Sequence, residues 1–165
     1  MARIWASLGS NVERETNIRG AVAALRERFG ELVVSRVYES AAVGFSGEPF
    51  YNLVAGFDSD LPCQEIMRIF REVEAEFGRV RGGAKFSSRT LDIDLLTYGD
   101  LVTRGEGYAL PREEIESYSF VLCPLAEVAP QQLHPVSGKS FARMWSEFDA
   151  TDQSLAPVEF DFNTG

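Results

Sequence analysis

Between Arg79 and Asp94 the chain sets four cations, Arg79, Arg81, Lys85 and Arg89, directly ahead of two acids, Asp92 and Asp94. Guanidinium and ammonium groups hold phosphate oxygens by charge-assisted hydrogen bonds, and carboxylates hold Mg2+, a hard ion that prefers oxygen ligands. Thr90 to Tyr98 is rich in β-branched and apolar residues and reads as a strand. Residues two apart on a strand share a face, so the carboxylates project together, roughly 6–7 Å apart at the backbone. Leu91, Ile93 and Leu95 then turn to the opposite, core-facing side. A cationic loop feeding a rigid carboxylate pair suits a polyanion that arrives with a divalent metal. Each feature also has a plainer use: an exposed Asp-x-Asp blunts a sheet edge, and a basic loop is commonly a solvated face. Adjacent and of opposite sign, they have a joint use in phosphoryl transfer.

The elements that must position these groups can be read in order. Arg3 to Leu8 alternates as a first strand, and Gly9-Ser10-Asn11 breaks it. Ile18, Val22, Leu25 and Phe29 line one face of a helix from about Asn17 to Phe29, stopped by Gly30. Glu31 to Tyr38 reads as a second strand, Glu39 to Pro49 as a loop and Phe50 to Phe57 as a third strand. Asp60-Leu61-Pro62 opens a second helix to about Phe77. With the Asp92/Asp94 strand, this predicts an α+β protein: a ferredoxin-like βαββαβ antiparallel sheet with both helices on one face. The helix-free face is then available for a ligand. A C-terminal extension of short helices follows, one over Phe120 to Glu127 interrupted by Pro124 and one over Ser140 to Phe148. Ser154 to Gly165 reads as a ragged tail, and His134 as structural or surface.

At 165 residues with 45% hydrophobic content, the chain fits one domain with a sizeable core. Its formal net charge of -9 argues against nucleic acid as a partner, since phosphate contacts there need a broad basic surface. A small anionic ligand needs only a local cluster. Two distant cysteines, Cys63 and Cys123, read as reduced thiols, and no run suggests a signal peptide or membrane span. A cytoplasmic protein, monomeric or weakly homodimeric, is the expectation.

Several motifs in order carry a family resemblance: Leu8-Gly9-Ser10-Asn11, Ser35-Arg36-Val37-Tyr38, Pro49-Phe50-Tyr51-Asn52, Gly78-Arg79-Val80-Arg81 and Arg89-Thr90-Leu91-Asp92-Ile93-Asp94-Leu95-Leu96. From about Arg3 to Phe148 the chain resembles the 6-hydroxymethyl-7,8-dihydropterin pyrophosphokinases, which move the diphosphate of ATP onto the pterin's hydroxymethyl group in folate biosynthesis. The resemblance implies the same ferredoxin-like fold. It also implies that Asp92 and Asp94 bind two Mg2+ ions, and that Arg81 and Arg89 hold ATP phosphates. Arg79 and Lys85 would lie on a loop that closes over the site. Asn52 would bond the pterin's amide edge, with Phe50 lining that pocket. Phe86, where the family usually has tryptophan, and Phe120 would sandwich the ring. Gly9 would let the backbone approach the ligand closely.

The chain departs from the family pattern on the nucleotide side. Arg112 and Glu113 follow Pro111 where the family has a histidine and then a Tyr or Pro; Tyr118 and Gly107 stand where it has arginines, and Ala109 where a hydroxyl residue is frequent. Arg112 is a candidate replacement cation for the nucleotide, whereas Glu113 would repel a triphosphate. Three readings remain open on sequence: an active pyrophosphokinase with a rearranged nucleotide pocket, a divergent pterin-binding relative with another donor or substrate, and a non-catalytic pterin-binding protein.

Overall fold

The computed structural model describes residues 1–41, 48–77, 91–105 and 107–162. Arg79, Arg81, Lys85, Phe86 and Arg89 lie outside the described residues, as do Gly44 and Gly47 of the earlier loop. In chain order the elements are β1 (Ala2–Ser10), α1 (Arg14–Phe29), β2 (Val33–Val34), β3 (Val37–Ser40), β4 (Phe50–Ser59), α2 (Cys63–Glu76) and β5 (Asp92–Tyr98). There follow β6 (Thr103–Gly105), β7 (Tyr108–Leu110), α3 (Glu114–Ser117), α4 (Ser119–Val128), α5 (Phe141–Glu147) and β8 (Leu155–Val158).

The result is a mixed α/β architecture on an antiparallel sheet. Its strands run in the order β5-β1-β4-β3-β8, with β2 also paired to β4. Residues of alternating strands point to opposite faces. On one face Ile4, Ala6, Leu8, Leu53, Ala55, Phe57, Ile93 and Leu95 form a single buried cluster with the apolar sides of α1 and α2. On the other face Trp5, Val54 and Leu96 pack under Ile115, Val121, Leu122, Leu125 and Phe141 of α3, α4 and α5.

The two core helices share one face as expected, and the second layer corrects the expectation that the other face is free of helices. Trp5, Val54 and Leu96 are apolar residues on the supposed open face, and leaving them in water would cost the burial of about 1.5–3 kcal/mol each that their cover provides. Among the described residues, the end of this face beyond the α4 contact carries Asp92, Gly9 and Asn52. The second strand is also divided: Ser35 donates its N–H to the Val54 carbonyl at 2.9 Å and its hydroxyl accepts the Val54 N–H at 2.9 Å, between β2 and β3. A side-chain oxygen there replaces a rung of the ladder.

The tail is likewise not ragged. Its β8 segment pairs with β3, Val37 opposite Val158 and Ser40 opposite Leu155, covering what would have been a sheet edge. Beyond it, Arg19 lies over the Phe160 ring and Nε of Arg19 donates to the Asp161 carbonyl at 2.8 Å. The β6–β7 hairpin was not anticipated, and Gly107 in its turn has φ 88, a conformation that favours glycine. Pro124 does not interrupt α4, which runs through it from Ser119 to Val128.

Two substitutions test this packing. A Cβ on Gly56 would stand 2.1 Å from the Trp5 ring, whose Nε1 donates to Gln132 at 2.8 Å. Gly56→Ala is therefore expected to cost about 1–3 kcal/mol or more, read as a fall in the urea midpoint. His134, the single histidine, is buried, and its Nδ1 accepts the N–H groups of Val136 at 3.2 Å and Ser137 at 3.1 Å. Burial lowers its pKa, against a smaller opposing pull from Glu116. The unfolded chain, titrating near 6.5, therefore takes up its proton first, and this stability is lost as pH falls below that value. Between pH 7 and pH 5.5 the parent should lose more stability than His134→Ala; equal slopes would dissociate the imidazole from acid sensitivity.

Candidate active site

The strand registers bring the sequence-predicted groups into one row. Asp92 pairs with Gly9, Gly9 with Asn52, and Asn52 with Tyr38, so four strands contribute to a single line on one face. The next row holds Asp94, Ser7 and Val54. Gly9 keeps this line low: a Cβ there would come within 3.3 Å of Asn52 Oδ1 and 3.7 Å of the Phe50 ring. The glycine thus lets the Asn52 amide and the Phe50 ring lie close against β1.

Asn52 is buried, and its Nδ2 donates to Ser40 Oγ at 2.7 Å, with longer approaches to the carbonyls of Tyr38 and Phe50. This fixes the amide plane and leaves Oδ1 on the Gly9 side. Phe50 is half-buried at the start of β4. The segment just before it is tied down by Asn11, whose Nδ2 donates to the Glu48 carbonyl at 3.1 Å, and by Arg14, which donates to the Pro49 carbonyl and to Glu39. Ser40, Asn11 and Arg14 were not singled out from sequence. The Leu-Gly-Ser-Asn motif was the signal that could have flagged Asn11, while Ser40 becomes visible only once β3 pairs with β4.

On the edge strand, Ile93 donates its N–H to Glu74 Oε2 at 2.8 Å. Glu74 is a fully buried acid on α2, and Arg71 donates to its other oxygen at 3.2 Å. The backbone between Asp92 and Asp94 is thereby clamped to α2. Both aspartates are half-buried. Burial pushes the Asp94 carboxyl up; Arg112 opposes this, while Glu74 and Glu114 add to it. The Arg112 guanidinium stands 3.6 Å from Asp94 and bonds Glu114, while the backbone N–H of Arg112 donates to the Leu96 carbonyl at 2.9 Å. Glu113 is exposed at the start of α3.

Phe120 lies in the first turn of α4, stacked on Tyr118 with centroids 5.0 Å apart and planes 22° from parallel. A fastening at the other end of this helix holds it to β3. The hydroxyl of Tyr38 donates to Glu127 at 2.5 Å, and the backbone N–H of Arg36 donates to the same carboxylate at 2.8 Å. Burial, reinforced by that bond, keeps the Tyr38 phenol protonated well above its ordinary range.

The donor set suits magnesium. Among the described residues no group of three or more His, Cys, Asp or Glu is placed to hold a metal alone. Mg2+ usually takes one or two carboxylates and completes its shell with water and substrate phosphate, so a same-face pair of aspartates fits it better than a closed protein cage would.

A carboxylate pair and a fixed amide thus share one face of the antiparallel sheet, with Phe50 at the start of β4 beside them. The chain belongs to the 7,8-dihydro-6-hydroxymethylpterin-pyrophosphokinase family, whose model matches residues 5–130. It is 36% identical over 141 residues to the 2-amino-4-hydroxy-6-hydroxymethyldihydropteridine pyrophosphokinase of Aquifex aeolicus, covering 84% of this chain and 88% of that one. Its identity to the Porphyromonas gingivalis protein of the same name is also 36%, over 82% of this chain and 95% of the relative. The fold is similar to that in a crystal structure of Plasmodium falciparum HPPK-DHPS with pteroate, with a TM-score of 0.72 and 11% identity. That match covers 88% of this chain but 42% of the Plasmodium chain. Among the described residues no helix is long and apolar enough to cross a membrane.

A desolvated acid with a raised pKa costs stability while ionised, and that cost is relieved as pH falls. Asp94→Asn should therefore melt no lower than the parent at neutral pH. Millimolar Mg2+ should raise the parent's melting temperature by binding the native state and leave the variant's unchanged. An equal rise in both would remove Asp94 from the ligand set.

Proposed function

We propose that the protein transfers the diphosphate of ATP to the hydroxymethyl group of 6-hydroxymethyl-7,8-dihydropterin, in folate biosynthesis. The observation that supports this reading is the row Asp92–Gly9–Asn52, in which a carboxylate and an amide flank a glycine on one face of the sheet. In this reading the sheet core is ferredoxin-like, the protein is cytoplasmic, and it works as a monomer or weak homodimer. No nucleic acid or membrane partner is called for.

Asn52 offers Oδ1 to the ring's N–H edge, its orientation already set by Ser40. Phe120 stacks on one side of the ring, with Phe50 lining its edge and Phe86 supplying the second face. Asp92 and Asp94 hold two Mg2+ ions, which when bound neutralise phosphate charge and orient the in-line displacement. Arg81 and Arg89 grip ATP phosphates, and Arg79 and Lys85 close over them to exclude water. Arg112, held between Asp94 and Glu114, would present its guanidinium to a diphosphate bound beside those acids.

A second reading, a relative that keeps the ring site but takes another phosphate donor, is favoured by two positions. Gly107 sits in a tight turn and Tyr118 stacks on Phe120, so neither offers the cation the family pattern has there. Losing one well-placed donor to developing charge costs about 10²–10³ in rate. Incubation with Mg2+, ATP and the reduced hydroxymethylpterin separates the two readings. AMP is expected as product, whereas pterin binding without AMP release selects the second. Asn52→Ala should weaken pterin binding about tenfold or more and leave binding of a non-hydrolysable ATP analogue unchanged, read by calorimetry.

A further inference from the structure

A cavity of about 550 Å3 opens beside Phe120, and one of its walls comes from the C-terminal segment. Phe120 and Ser40 contribute from α4 and β3, while Asp152, Gln153, Ser154 and Ala156 close the third side. Ser40 is the residue that holds Asn52, so this cavity adjoins the amide that reads the ring. The residues matched by the family model end at 130, so the wall is built from a part of the chain beyond that match.

Gln153 joins this wall to the aromatic side. Its Oε1 accepts the Ser119 N–H at 2.8 Å, its carbonyl accepts the Ser119 hydroxyl at 3.0 Å, and its Nε2 donates to the Ser117 carbonyl at 3.0 Å. Ser119 is almost fully buried and directly precedes Phe120. The three bonds therefore fix the backbone on which Tyr118 and Phe120 are mounted, at a point where α4 has no side-chain cap of its own. Pairing of β8 with β3 holds the other end of the segment, Leu155 lying opposite Ser40.

We propose that the segment Asp152–Ala156 is a wall of the heterocycle site, and that Gln153 is the positioning residue that sets Phe120 for stacking. This rests on the pterin reading above. The wall also has a chemical preference. Asp152 lines the cavity together with Glu39, which Arg14 already pairs, so the rim offers carboxylate acceptors to a neutral ring carrying N–H donors.

The test uses full-length variants and 6-hydroxymethylpterin, titrated by fluorescence, with an ATP analogue titrated separately. Ser154 is exposed, so Ser154→Trp should leave the melting temperature unchanged, obstruct the cavity and weaken pterin binding at least tenfold. Gln153→Ala should weaken it about five- to tenfold with nucleotide affinity unchanged, and Gln153→Glu, which keeps the acceptor for Ser119, should recover most of the loss. If the parent binds the pterin and Ser154→Trp binds it equally well, the wall is refuted while the pterin reading stands. If Gln153→Ala weakens both ligands in proportion to a loss of stability, the positioning role is refuted. If the parent itself binds no pterin, the reading falls and the wall with it.

Discussion

Antiparallel pairing of Gly9 with Asp92 on one side and Asn52 on the other is the constraint from which the rest of this site follows. Hydrogen-bonded register fixes which residues of three strands share a line, and a slip of one residue would turn every side chain to the other face. Here the line joins a carboxylate, a residue without a side chain and an amide. A larger residue in the middle would meet Asn52 Oδ1 within 3.3 Å. The sheet is thus both the scaffold and the floor of the site.

What covers the sheet decides where that floor is open. The helices α3, α4 and α5 seal Trp5, Val54 and Leu96, and the first turn of α4 brings Phe120 to the boundary of the uncovered end. Polar bonds stiffen the boundary from both directions: Glu127 with Arg36 and Tyr38 at one end of α4, Gln153 with Ser117 and Ser119 at the other. Each bond contributes only about 0.5–1.5 kcal/mol net. Their effect is to give Phe120 one position rather than several.

The electrostatics of the edge strand are balanced locally rather than by the overall charge of -9. Glu74 and Glu114 press on Asp94 while Arg112 and Arg71 relieve it, and burial outweighs them all.

Sequence by itself determined the strand that carries Asp92 and Asp94, the two core helices, and the family motifs around Gly9 and Asn52. Those features are legible because they are local: period-two and period-3.6 patterns and short motifs specify themselves within a few residues. The cover over Trp5 and Leu96, the break in the second strand at Ser35 and the pairing of β8 were decided only by the tertiary structure. Each depends on partners far apart in the chain, as Ser35 depends on Val54 and Gln153 on Ser119. The same holds for Arg112, which sequence offered to a nucleotide and folding places against Asp94. A side chain's type can be read from its letter, but its neighbours across a sheet are set by register and burial, and no local pattern encodes those.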